Sequence, residues 1–399
     1  MDFDDTPEEA RFRAEARSWL EAHASRRADS GRPRVPVADD EAQAHHVQAC
    51  RRWQRTLYAA NWAGITWPKE FGGRGGTAMQ QVIFSQEQAQ FDVSTGALTV
   101  GLGMVGPTLM TWGRPDQRDR YLGPMLRGDE MWCQLFSEPS AGSDLPSLIT
   151  RAERDGDDFV VDGQKVWTTM AQYSDWAILL ARTERSVPGR RGLSYLVVDM
   201  TTPGIEVRPL RQITGVAHFN EVFLTDVRVP SANLVGAEGA GWNVARTTLA
   251  AERMVIGTGG GTSFADVAAL CRALGGVGDP VRRQEVAETY IGFELLRYLG
   301  LRVQTALSQG RAPGAEASLL KLAFSRQSAR LGDLGLALLG PSGIASDGLA
   351  TAADFWRDRF LGQWSSRIGG GTDEIQRNQI GERVLGLPRE PSVQIQYPT

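Results

Sequence analysis

Apolar residues recur at helical spacing over residues 7–24. The segment Thr6-Pro-Glu-Glu9 ahead of them carries a helix start: a capping Thr, proline at the first helical position and Glu three residues on. Pro33, Pro36 and the charges around them break the pattern, and residues 40–62 and 78–91 then read as two more amphipathic helices. From about Met131 the period changes. Residues 159–161, 176–180, 194–198 and 221–224 are short apolar runs divided by Gly, Asp and Pro turns, which predicts the strands of a compact β domain. Beyond Gly241 the helical period returns over 242–256, 282–308 and 315–339. The expected organisation is α, then β, then α, with boundaries at 1–130, 131–235 and 236–399.

Composition narrows the class. The 399 residues, 42% of them hydrophobic, suit a globular enzyme of two or three domains with an ample core. A formal charge of −4 with no basic stripe gives nucleic acid no electrostatic footprint. Cys50, Cys133 and Cys271 are few, odd in number and far apart, against a disulfide scaffold or a thiolate metal site. The four histidines lack metal-ligand spacing, so no metal is expected. The N-terminus is acidic, and no apolar run reaches the roughly 20 residues that span a bilayer, so a cytoplasmic protein without membrane insertion is expected.

One carboxylate sits oddly. Trp242, Ala245, Leu249, Glu252 and Ile256 fall at helical spacing on one stripe, so Glu252 projects from an apolar face. Desolvation there raises a carboxyl's proton affinity, which suits either a buried ion-pair partner or a general base. The glycine patches at 257–261 and 275–278 lack the preceding strand that a phosphate-cradling loop needs and read as helix interruptions.

Several motifs recur in order along the chain. They are Trp67-Pro-Lys-Glu-Phe-Gly-Gly-Arg-Gly75, Phe136-Ser-Glu-Pro-Ser-Ala-Gly-Ser-Asp144, Gly163-Gln-Lys-Val-Trp-Thr-Thr169 and Phe219-Asn-Glu-Val-Phe-Leu-Thr-Asp-Val-Arg-Val-Pro230. Gly236-Ala-Glu-Gly-Ala-Gly-Trp242 and Arg367-Ile-Gly-Gly-Gly-Thr-Asp-Glu-Ile-Gln-Arg377 follow, the last running on to Arg389. In this series the chain resembles the acyl-CoA dehydrogenases, and bacterial FadE-type members in particular. The resemblance implies an α+β fold: an N-terminal helical domain, a middle β-barrel-like domain and a C-terminal four-helix bundle. It also implies α,β-desaturation of an acyl-CoA thioester with FAD as cofactor, as in β-oxidation, and transfer of the electrons to an electron-transferring flavoprotein.

The usual base of the family precedes the Gly-Thr of the C-terminal loop, where this chain has Gly370. In a second group, which includes the isovaleryl-CoA and long-chain dehydrogenases, the base is the Glu of a Glu-Arg pair on the first C-terminal helix, and Glu252-Arg253 matches that pair. The resemblance therefore makes Glu252 the base and leaves Gly370 to bind the thioester oxygen through its amide. It implies flavin contacts for Gln134, Phe136, Ser137, Ser143, Trp167, Thr168, Thr169, Thr372 and Glu374. Substrate contacts follow for Ser143, Arg253 and Gly371.

Two segments depart from the family pattern. The helix that carries Arg-x-x-Phe-Gly, which reaches the FAD of a neighbouring subunit, here reads Cys271-Arg-Ala-Leu-Gly275, with Arg272 as substitute. The Gln ahead of the family's Leu-Gly-Gly is Ala337, with Gly340 kept on the cofactor side. The expected assembly is a homotetramer or an α2β2 heterotetramer. Alternatives are a flavin monooxygenase on the same fold, a non-catalytic acyl-CoA- or FAD-binding subunit, and an enzyme for carrier-protein thioesters.

Overall fold

The computed structural model describes residues 5–27, 39–187, 189–257, 263–309, 311, 316–345 and 352–389. Five helices come first: α1 (Pro7–His23), α2 (Asp40–Ala59), α3 (Ala78–Gln88), α4 (Gly106–Trp112) and α5 (Pro115–Arg127). The start of α1 is as expected, with the Thr6 amide donating to Glu9 Oε2 at 2.8 Å and the Glu9 amide to Thr6 Oγ1 at 3.3 Å. Helices α1 and α3 pack together, and Arg13 and Arg17 of α1 both pair with the buried Glu87 of α3, at 3.1 and 2.8 Å.

A seven-stranded mixed sheet follows: β1 (Trp132–Leu135), β2 (Arg151–Asp155), β3 (Asp158–Thr169), β4 (Trp176–Arg182), β5 (Leu193–Asp199), β6 (Ile205–Leu210) and β7 (Phe219–Pro230). Its order is β1-β4-β2-β3-β7-β6, with β5 antiparallel to β4. Strand β4 is buried on both faces: Ala177, Leu179 and Ala181 belong to the core inside the sheet, Ile178 and Leu180 to the core shared with the N-terminal helices. Strands β3 and β7 pair from Asp158↔Pro230 to Thr169↔Phe219, interrupted by irregularities at 161–163 and 165–168. Such bulges bend and twist a strand, and the sheet curls.

Seven more helices follow among the described residues: α6 (Gly241–Gly257), α7 (Phe264–Ala273), α8 (Pro280–Ser308), α9 (Glu316–Leu339), α10 (Pro341–Ile344), α11 (Ala352–Ile368) and α12 (Asp373–Arg383). Helix α9 is central and packs on α6, α8, α11 and α12. The architecture is thus α+β, helical at both ends, with α6, α8, α9 and α11 as the long helices of the C-terminal bundle. No helix among the described residues is long and apolar enough to cross a membrane.

Helix α6 ties the three parts together. It begins on Gly241, where a Cβ would lie 2.6 Å from Ser194 Cα on β5, so only glycine allows this approach. Two turns later Thr248, fully buried, meets Thr108 Oγ1 of α4 at 2.9 Å and the Tyr195 hydroxyl of β5 at 3.0 Å. Valine at 248 keeps the shape and removes the hydroxyl that bridges Thr108 and the buried Tyr195. Thr248→Val is expected to cost about 1–3 kcal/mol, measured by urea unfolding with the slope unchanged.

Candidate active site

The site grows from the junction of β1, β3 and α6. Lys165 on β3 is fully buried, and its Nζ donates to the carbonyls of Phe136 and Leu180 at 3.0 and 2.8 Å and to Glu138 Oε1 at 2.8 Å. The Glu138 carboxylate also accepts the amides of Ile149 and Thr150, at 2.7 and 2.9 Å. Burial pushes the Glu138 carboxyl up. The Lys165 charge and the amide donors outweigh that and hold it below the usual carboxylate range. This buried pair fixes the loop that begins at Phe136 against β3, and the Val166 amide adds a 2.9 Å bond to the Ser137 carbonyl.

On β3 the irregularity between Lys165 and Thr168 turns one side chain outward. Trp167 has φ +59 and is 60% exposed, an unusual state for an indole, with its ring edge-on to Phe219 at 5.9 Å. Thr168 beside it is buried, its carbonyl held by Asn220 Nδ2 at 3.0 Å, and Thr169 is exposed. Phe136 is buried against the Tyr195 ring.

Glu252 reaches this group from α6. As far as Glu252 the stripe is as the spacing predicts: Ala245 is buried, Trp242 and Leu249 pack on the core, and Glu252 is half-buried; the Ile256 side chain lies outside the described residues. Gln134 Nε2 on β1 donates to Glu252 Oε2 at 3.4 Å, a contact across 118 positions of chain.

The C-terminal loop leads into α12, which packs on α9 as α6 does. Gly370 and Gly371 have φ +64 and +87, and a Cβ at Gly371 would stand 2.7 Å from Gln376 Nε2. That Nε2 donates to the Gly370 and Gly371 carbonyls at 3.0 and 3.3 Å, while Thr372 caps α12 through the Ile375 amide at 3.2 Å. Glu374 is exposed and pairs with Arg377 at 2.9 Å. The buried Lys321 of α9 lies 3.8 Å from Asp373 Oδ1 at the start of α12, and α9 packs on both α12 and α6.

Other expected residues fall elsewhere. Ser137 is half-buried, and Ser143 is exposed in the turn beyond the paired Glu138 and Ala141. Arg272 is exposed on the last turn of α7, and Gly340 follows α9. From Lys321 to Gly340 the chain advances 19 residues, roughly 28 Å at a helical rise. Gly340 is therefore far along α9 from the turn that meets Asp373. The ends of α7 and α9 instead border a separate cavity of ≈ 410 Å³, lined by Leu274, Asp279, Arg282 and Ala337 among others. The Arg253 side chain lies outside the described residues, as do Pro33, Pro36 and the glycines at 259–261.

Three polar atoms of these segments are buried with no hydrogen-bond partner among the described residues: Gln134 Oε1 on β1, Thr168 Oγ1 on β3 and Gln376 Oε1 on α12. Native interiors rarely leave such atoms unpaired. With the outward indole of Trp167 they suit a flat heterocycle with donors and acceptors on its edge, so the residues fit a flavin. The sequence reading missed Lys165, Lys321 and Gln376. A signal existed for Lys321, a lone charge in the apolar run Leu319-Leu-Lys-Leu-Ala-Phe324.

Residues 6–129, 133–227 and 239–385 match the family models for the N-terminal, middle and C-terminal domains of acyl-CoA dehydrogenase. The chain is 39% identical to the acyl-CoA dehydrogenase IpdE1 of Mycobacterium tuberculosis, covering 95% of this chain and 98% of that protein. A solved structure described as the Tcur3481-Tcur3483 steroid ACAD superposes with TM-score 0.82 at 29% identity, over 98% of this chain and 100% of that one. The ChsE4-ChsE5 complex from Mycobacterium tuberculosis gives TM-score 0.77 at 29% identity, over 98% and 100%.

Proposed function

The chain belongs to the acyl-CoA dehydrogenase family, and from that premise we propose that it desaturates the α,β bond of a CoA thioester with Glu252 as base. The observation that carries this reading is the 3.4 Å contact from Gln134 to Glu252, which joins the carboxylate on α6 to the strands bearing Trp167 and Thr168. Gln134, Phe136, Trp167, Thr168, Thr169 and Thr372 would hold FAD, which when bound supplies the hydride acceptor. Glu252 takes the proton from the α carbon. The Gly370 amide binds the thioester oxygen, where such donors contribute roughly 2.7–4 kcal/mol in comparable sites. Ser143, Arg253 and Gly371 contact the substrate.

We infer a bulky, steroid-derived acyl group. A relative is described as a steroid ACAD, and Gly370 leaves the loop without the side chain that elsewhere fills it. The electrons pass to an electron-transferring flavoprotein. Arg272 and Gly340, remote from Glu252, face the cofactor of a neighbouring subunit. A homotetramer offers such a neighbour. The α2β2 assembly is favoured by that cavity: its Arg282 is engaged with Glu285 at 2.6 Å and Asp279 adds a carboxylate, a poor seat for a pyrophosphate.

Anaerobic titration of the purified flavoprotein with straight, branched and steroid-derived acyl-CoA thioesters tests the proposal. Flavin bleaching by the steroid-derived class, with an enoyl-CoA product, is expected. Bound FAD that no thioester bleaches points to a monooxygenase, and a protein without FAD to a missing partner subunit.

A further inference from the structure

The backbone at the end of β3 is held in a conformation that its residues do not favour. Among the described residues four non-glycine positions have φ in the left-handed region, and two of them, Trp167 at +59 and Met170 at +57, stand three residues apart here. Backbone of this kind persists only where its surroundings impose it, and it concentrates at functional sites. The surroundings here include a file of side-chain amides. Asn220 of β7, fully buried, donates from Nδ2 to the Thr168 carbonyl at 3.0 Å and to Gln172 Oε1 at 2.6 Å. Gln172 Nε2 donates to the Ala217 carbonyl at 3.1 Å and to Gln43 Oε1 at 3.2 Å, and the fully buried Gln43 of α2 meets His218 Nδ1 through its own Nε2 at 2.7 Å.

Two backbone carbonyls fix the direction of this relay. A carbonyl only accepts, so Asn220 must turn Nδ2 to Thr168, and Gln172 must turn Nε2 to Ala217. Gln172 Oε1 then receives Asn220, Gln43 Oε1 receives Gln172, and His218 Nδ1 is left to accept from Gln43. The relay ties helix α2 to one peptide of β3, and the other end of that peptide faces the site. Met170 donates its amide to the His218 carbonyl at 3.0 Å, so Thr169 and Phe219 form a non-hydrogen-bonded pair of the ladder. The Thr169 amide therefore points away from β7, to the edge of β3 that β2 leaves open beyond Asp162. We propose that Asn220, held by Gln172 and Gln43, is a positioning residue for the cofactor: it fixes the Thr168 carbonyl toward β7 and so turns the Thr169 amide, with the strained turn that carries Trp167, to the flavin ring. This rests on the reading of Trp167, Thr168 and Thr169 as flavin contacts. Asn220 and Gln43 have no exposed surface and act only through that backbone.

Four variants of the FAD-loaded protein test this through the bound flavin rather than through turnover. Asn220→Leu removes both donors, and Gln43→Met cuts the relay at its far end, on α2. FAD binding is expected to weaken about tenfold in Asn220→Leu, the size of one lost hydrogen bond, and about threefold in Gln43→Met. In both, the visible flavin bands shift and the midpoint potential becomes more negative, because a donor that has drifted from the ring no longer favours its electron-rich reduced form. A tenfold change in that preference is about 30 mV for a two-electron couple. Gln43→Met leaves the sheet untouched and carries the test if Asn220→Leu folds poorly. Glu87→Gln, which loosens α1 from α3, is the control: its urea midpoint falls, while FAD affinity, spectrum and potential stay native. A native flavin in either relay variant, or the same shift in Glu87→Gln, overturns the proposal. Trp167→Leu separates the two ideas: if it binds FAD with native affinity, spectrum and potential, the reading of the segment as a flavin contact fails whatever the relay variants do.

Discussion

Glu252→Gln is expected to slow anaerobic flavin reduction by an acyl-CoA about 10²- to 10⁴-fold, the usual contribution of a positioned general base. Gln fills the same volume and can still meet Gln134, 3.4 Å away in the native chain, so FAD content and thioester affinity should stay within about twofold. The two effects separate the readings of this carboxylate. A structural ion-pair partner would lower stability and leave the reduction rate alone, whereas a base would do the reverse. Stopped-flow absorbance of the bound flavin, with urea unfolding of the same preparations, measures both. An unchanged rate with a lowered midpoint would remove Glu252 from the mechanism.

Lys165→Met should produce the largest loss of stability. The variant leaves the buried Glu138 carboxylate facing only the amides of Ile149 and Thr150, and it removes the bonds that hold the Phe136 and Leu180 carbonyls. Breaking a buried pair by removing one partner costs about 3–5 kcal/mol, a large share of the roughly 5–15 kcal/mol that folds a domain. Because the Phe136 loop also borders the residues proposed to hold FAD, FAD content should fall as well. The double variant Lys165→Met/Glu138→Gln should be more stable than the single one, since no uncompensated charge remains. Acid works on the same pair. Glu138 is held below its ordinary pKa, so its contribution is present above the unfolded value and is lost as pH falls through the folded one. Unfolding midpoints measured between pH 7 and 3 should therefore drop faster in the native protein than in the double variant.

Much of the fold was legible because local signals agreed. Thr6 and Glu9 marked the first helix, the strands of the sheet core were apolar runs, and α6, α8 and α9 kept a helical period. What escaped had weak local signals. Helix α5 contains Gly123 and Pro124, and α4 follows a π turn over Gly101–Val105, so neither shows a clean stripe. Strand β2 is exposed except at Ala152, so it has no apolar run to read. Within the candidate site, Glu252 could be read because its neighbours on the stripe are apolar. The contact from Gln134 could not, since the two residues meet only after the sheet and the bundle have packed. Lys165 reads as an ordinary polar position, because a lysine's long stem usually carries its charge to water and nothing local says that this one does not, whereas Lys321 stands alone in the apolar run 319–324.

The most direct test of Glu252 as the base is proton exchange at the α carbon. The FAD-loaded protein is incubated in D2O with a thioester that binds but cannot lose its β hydride, and the α C–H signal is followed by NMR. Exchange in the native protein that is lost in Glu252→Gln is the predicted result. Exchange at equal rates in both, or bleaching of flavin by an oxidisable acyl-CoA at the native rate in Glu252→Gln, would contradict it.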